Sequence, residues 1–114
     1  LLRQIITNLV TNAIKYSPKG SKIDIVLSND EHDFSVIISD NGIGIPDKDQ
    51  VHIFDPFHRA TNARDFSGTG LGLAITKKAV EKHNGEISFT SIFEEGTSFC
   101  VSIPLSSNNN GDEE

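Results

Sequence analysis

The chain has 114 residues, a formal net charge of −6 and 36% hydrophobic residues, proportions that suit one soluble domain around a single core. The acidic balance weighs against nucleic acid as a partner, because a phosphate backbone calls for a basic face. No run approaches the roughly 18–20 apolar residues needed to span a bilayer and no signal-like segment is present, so this domain is expected to make no membrane contact.

Residues 1–16 place Leu2, Ile5, Ile6, Leu9, Val10, Ala13 and Ile14 at helical spacing, which predicts a first helix with a core-facing stripe. Thr7, Asn8, Thr11, Asn12 and Lys15 fall on the other side. Asn8, Asn12 and Lys15 stand at i, i+4 and i+7, so two carboxamides and an ammonium share one face. A carboxamide oxygen is a hard, neutral ligand that suits Mg²⁺, and an ammonium suits phosphate oxygens. Taken by itself, an Asn-x-x-x-Asn more commonly marks an ordinary solvated helix face.

Ser17-Pro18-Lys19-Gly20 is turn chemistry. Residues 22–29 alternate as a strand with Ile23, Ile25 and Leu27 inward, and 30–33 form a polar hairpin connection. Residues 34–40 form the next strand, with Phe34, Val36 and Ile38 inward. It ends in Asp40-Asn41-Gly42-Ile43-Gly44-Ile45-Pro46, where an acid precedes two glycines. Asp40 is placed either to accept from an exocyclic amine, with Ile45 against a flat ring, or to cap its own turn.

Residues 46–57 hint at a short helix, and 58–69 form a long loop without periodicity. Phe54 and Phe57, three apart, are suited to pin one end of that loop. Arg59 then either reaches a phosphate or remains a surface arginine. Gly68-Thr69-Gly70-Leu71-Gly72-Leu73 opens a second helix over 71–84, where free amides and the helix dipole favour an anion. Leu71, Ala74, Ile75 and Ala79 are its expected inner side, and Gly85 its left-handed stop. The segment is neither a dinucleotide fingerprint nor a P-loop, because Leu73 stands where the third glycine belongs and no Gly-Lys-Ser/Thr is present.

Two strands follow, over 86–93 with Ile87 and Phe89 inward and over 96–105 with Phe99, Val101 and Ile103 inward. Paired strands with helices that cannot all be crossovers imply an α+β two-layer α/β sandwich, its sheet mixed and covered by helices on one face. The lone Cys100 reads as a small buried residue in a reduced cytosolic setting. Residues 106–114 are polar and read as a disordered tail, leaving 1–105 as the domain. The absence of methionine and the uncapped helical start suggest a piece of a longer polypeptide.

In order, Asn-x-x-x-Asn-Ala-x-Lys-Tyr, Asp-x-Gly-x-Gly-Ile, Phe-x-x-Phe-x-Arg and Gly-Thr-Gly-Leu-Gly-Leu run through the chain. With these boxes the sequence resembles the catalytic and ATP-binding domain of two-component sensor histidine kinases, within the GHKL superfamily. The resemblance implies the Bergerat fold, binding of ATP with Mg²⁺, and a cytoplasmic domain whether or not the parent chain is membrane-anchored. It implies Asn12, helped by Asn8, as metal ligands, with Lys15 and Tyr16 near phosphates and nucleoside. Asp40 would meet the adenine amine, in a pocket shaped by Gly42, Gly44 and Ile45. Phe54, Phe57 and Arg59 match the F box, and 58–69 the ATP lid. Gly68, Thr69, Gly70, Leu71 and Gly72 would cradle phosphates, and Thr97 would face the nucleotide.

The resemblance also separates branches. Hydrolysing relatives in the superfamily carry glutamate where this chain has Asn8, and a carboxamide cannot act as a general base. Transfer to another nucleophile is therefore expected over steady hydrolysis or pure nucleotide sensing. The implied acceptor is a histidine on the dimerisation domain of the parent protein, with a response regulator downstream. His32, His52, His58 and His83 lack the acceptor motif and read as structural or surface residues. The chain thus carries neither base nor acceptor, and the resemblance places a further strand ahead of Leu1.

Overall fold

The computed structural model of the chain describes residues 2–57 and 72–105. Its elements are α1 (Leu2–Lys15), β1 (Asp24–Asn29), β2 (Asp33–Asp40), α2 (Asp47–Gln50), α3 (Gly72–Lys82), β3 (Glu86–Ile92) and β4 (Gly96–Pro104). The described strands form one sheet in the order β1-β2-β4-β3, and every pairing is antiparallel, where a mixed sheet was expected. With α1 and α3 on one face, the architecture is an α+β two-layer sandwich.

The core lies between that face and the two central strands. Val36 and Ile38 of β2 and Phe99 and Val101 of β4 are at most 3% exposed, while Ile37 between them is 38% exposed. This is the period of two that a half-buried strand imposes. Ile5, Leu9 and Ala13 of α1 and Ala79 and Val80 of α3 complete the cluster.

The sequence pattern overstated three apolar faces. β1 is exposed along its whole length, with Ile25 at 48% and Leu27 at 59%, because the helices pack on β2, β3 and each other. Only Ile23, just before the strand, packs against the core. Ile14 is 61% exposed. At about 100° per residue it lies some 140° around α1 from the middle of the Ile5–Leu9–Ala13 stripe, too far to be covered.

In α3 the buried residues are Thr76, Ala79 and Val80, while Ile75 is 46% exposed. The inner face is rotated from the expected one towards a threonine, which hides its polarity by donating to the Gly72 carbonyl at 2.8 Å. The helix also ends differently. Asn84 takes the left-handed conformation (φ 62°), its N–H bonds Glu81 O, and the Gly85 N–H bonds Val80 O at 3.0 Å. That is a Schellman cap with Asn84, not Gly85, at its left-handed position. Gly85 is required for space, since a Cβ there would sit 2.5 Å from the Ser102 carbonyl oxygen.

Candidate functional site

Asp40 closes β2 opposite Thr97 of β4. Its Oδ1 accepts the Gly42 N–H at 2.8 Å and the Thr97 N–H at 3.3 Å. The turn-capping role considered for Asp40 is therefore real, and it occupies one oxygen. Neither bond uses Oδ2. Burial pushes the Asp40 carboxyl above its ordinary range, and the two backbone donors only partly offset this.

The loop after Asp40 is strapped on both sides. The Ile43 N–H bonds the Tyr16 carbonyl at the end of α1, and the Ile43 carbonyl accepts from Glu94 in the β3–β4 turn at 2.7 Å. The Ile45 N–H donates to Ser91 Oγ at 2.8 Å, and Ser91 Oγ lies 2.8 Å from the buried Thr97 hydroxyl. Gly42 lacks a Cβ because one would strike the Tyr16 carbonyl. At Gly44 (φ 69°) and Gly96 (φ 141°) a Cβ would strike the carbonyls of Ile92 and Asp40 respectively. The backbone these glycines admit is thus the protein's own, holding α1, the Asp40 loop and the β3–β4 turn in register. A cavity at this end of the sheet is lined by Asp40, Ser91, Glu95, Gly96 and Thr97, among others.

On the helix layer, Asn8 and Asn12 are half-buried, whereas Thr7 and Thr11 are exposed. The asparagines thus border the core stripe instead of standing opposite it. Asn8 Nδ2 donates to Thr76 Oγ1 of α3 at 3.2 Å. Lys15 Nζ stands 5.1 Å from the centre of the Tyr16 ring, a cation–π distance that tethers both side chains at the exit of α1.

Phe54 anchors the start of the following segment. Its ring meets Phe89 and Phe99 edge-on at 5.9 and 6.4 Å, and Lys77 Nζ stands 5.2 Å from its centre. Phe57 does not share this role: it is 71% exposed with φ 66°. Gly72 begins α3 on its exposed side. Arg59, Gly68, Thr69, Gly70 and Leu71, like His58, lie outside the described residues. His32 sits in the β1–β2 turn, His52 bonds Asp55 at 3.0 Å, and His83 ends α3 half-buried. Neither Ser91 nor Thr76 stands out as a site residue in the sequence. Ser91 was accessible in principle, being the next inward position of β3 after Ile87 and Phe89.

The chain matches, over residues 1–107, the family described as histidine kinase-, DNA gyrase B- and HSP90-like ATPases, and it belongs to that family. Its relatives there are sensor histidine kinases. It is 40% identical over 107 residues to the sensor histidine kinase WalK of Bacillus subtilis, covering 90% of this chain and 18% of WalK. It is 47% identical to the signal transduction histidine-protein kinase BarA of Escherichia coli K12, covering 96% of this chain and 12% of BarA. The chain therefore spans about a fifth or less of these relatives. Among solved structures, the mycobacterial sensor histidine kinase MprB superposes with a TM-score of 0.80 at 33% identity, covering 89% of this chain and 70% of that one. The catalytic domain of the histidine kinase ThkA gives 0.76 at 32% identity, covering 90% and 66%.

Proposed function

We propose that this ATPase-family domain binds ATP together with Mg²⁺ and passes the γ-phosphoryl group to a histidine on a separate dimerisation domain of its parent protein. A response regulator would then receive the group. The observation that carries the reading is the state of Asp40. Two backbone donors fix Oδ1, and Oδ2, at the end of β2, keeps its capacity for an exocyclic amine such as adenine N6. Thr97 lines the same cavity as Asp40, and Ser91 holds both the Thr97 hydroxyl and the Ile45 N–H.

The metal fits the side chains at hand. Asn8 and Asn12 offer neutral oxygens on adjacent turns of α1, and Asn8 spends its Nδ2 on Thr76, so its oxygen remains for a cation. Mg²⁺ bound there would neutralise phosphate charge, which is most of what phosphoryl transfer asks of a protein. Lys15 and Arg59 would take further phosphate oxygens. Gly68, Thr69, Gly70, Leu71 and Gly72 would hold the remainder at the start of α3, beside the lid. Because Asn8 cannot deprotonate water, the acceptor nucleophile must come from elsewhere. The γ-phosphorus–oxygen bond breaks as a bond to an imidazole nitrogen forms, and ADP leaves.

The domain is proposed to span residues 1–105 and to work in the cytoplasm. Among the described residues no helix is long and apolar enough to cross a membrane. Incubation with γ-labelled ATP and a separately produced histidine-bearing domain tests the reading. Acid-labile label on that partner is expected. Steady phosphate release with an unlabelled partner would overturn it.

A further inference from the structure

Thr76 is fully buried in the middle of α3, one turn after Gly72, and its hydroxyl is at the centre of a two-bond relay. It lies 2.8 Å from the Gly72 carbonyl oxygen and 3.2 Å from the Asn8 carboxamide. A hydroxyl has a single proton. A carbonyl oxygen can only accept, so the 2.8 Å contact requires that proton to point at Gly72. What Thr76 Oγ1 then offers Asn8 is a lone pair. The carboxamide must answer with Nδ2–H, and Oδ1 is turned away from α3.

We propose that Thr76 is a positioning residue for the metal site: by accepting from Asn8 Nδ2 it fixes the flip of that carboxamide and presents Oδ1, not the amide protons, to the cation. The inference rests on the reading of Asn8 and Asn12 as metal ligands and adds how one of them is oriented. An asparagine without such a partner turns either end outward at little cost, and its amide protons repel a cation. A half-buried asparagine between two helices is oriented by whatever it touches. Here it touches a hydroxyl whose one proton is already given to Gly72, which leaves only a lone pair for Asn8.

The test is a pair of ATP affinities for the domain, measured by calorimetry with excess chelator and with saturating Mg²⁺, whose ratio gives the metal-dependent gain. Thr76→Val keeps shape and burial but removes the lone pair. It is expected to cut that gain about tenfold, the lower range for losing a partner that orients a metal ligand, with metal-free affinity unchanged. Thr76→Ser should restore it. A merely structural role would move both affinities together. In isotope-edited spectra of the native domain, the Asn8 side-chain amide protons should show through-space contacts to the Thr76 methyl group.

Asn12→Ala separates the two levels. If Asn12→Ala lowers the metal-dependent gain and Thr76→Val does not, the orienting role fails while the metal reading stands. If neither variant moves the gain, the metal reading fails and takes this inference with it. Absence of the amide-to-methyl contacts overturns the orienting role directly.

Discussion

Asp40 and Thr97 face one another across β2 and β4, and the aspartate Oδ1 receives the threonine N–H at 3.3 Å while also capping Gly42. One carboxylate oxygen thereby joins a strand end, a glycine turn and the neighbouring strand. Those bonds hold the group where burial disfavours its charge. A carboxyl whose charged form burial disfavours is a candidate for a binding role, as proposed for Asp40.

Asp40→Asn preserves an acceptor oxygen for both backbone donors and removes the charge. Its ATP affinity should fall by at least about tenfold, the loss of one charge-assisted hydrogen bond, while its apo melting temperature at pH 7 does not fall. The pH dependence has a fixed sign. The folded pKa of Asp40 is raised, so the penalty is fully present above that pKa, shrinks as pH falls through it, and is gone below the unfolded value. Chemical denaturation between neutral and acidic pH should show the gap between variant and native closing. A gap that widens on acidification, or unchanged affinity in calorimetry, would sink the assignment of Asp40.

Glycine substitutions should separate by what lies beside them. Gly20 and Gly44 both have positive φ, but a Cβ at Gly20 meets open space and one at Gly44 meets the Ile92 carbonyl. Gly20→Ala should cost about 1–2 kcal/mol from the backbone alone. Gly44→Ala adds about 1–3 kcal/mol for displacing a packed neighbour. Urea titrations that rank the two in the opposite order would show that the Asp40 loop is not held against the β3–β4 turn.

The elements legible in the sequence were those whose burial is decided locally. Val36, Ile38, Phe99 and Val101 alternate cleanly because β2 and β4 are central and each has one covered face. Ile25 and Leu27 alternate just as well, yet an edge strand is buried only where a helix happens to lie, and no local pattern says where. The glycines of the Asp40 loop were legible as required glycines. What approaches them, the carbonyls of Tyr16 and Ile92, belongs to elements tens of residues away. Thr76 was invisible because a helical threonine resembles a surface residue until its hydroxyl finds Gly72 and Asn8. Residues 58–71 lie outside the described residues, so the role proposed for them rests on the resemblance alone.

The apolar stripe of α1 can be divided by mutation. Leu9 is 1% exposed in the core and Ile14 is 61% exposed. Leu9→Ala should cost about 2–5 kcal/mol, whereas Ile14→Gln should stay within about 0.5 kcal/mol of native. Thermal melts suffice to see the difference, since about 1 kcal/mol moves a domain of this size by about 4–8 °C. A large loss at Ile14 would mean that this end of α1 is covered in solution.

The contact between α1 and α3 through Asn8 and Thr76 can be weighed by a double-mutant cycle on the apo domain. Asn8 is half-buried, so Asn8→Ala leaves water to take up part of what it loses, and Thr76→Val is close to isosteric. Each single change should therefore cost the worth of the bond and little more. If the 3.2 Å bond is made in solution, removing the second partner costs less once the first is gone. The cycle should then return a coupling of about 0.5–1.5 kcal/mol, the net worth of one hydrogen bond. A pair that merely sits close would add within about 0.3 kcal/mol. That result would leave the carboxamide of Asn8 free to turn, and the oxygen proposed to face the metal without its anchor.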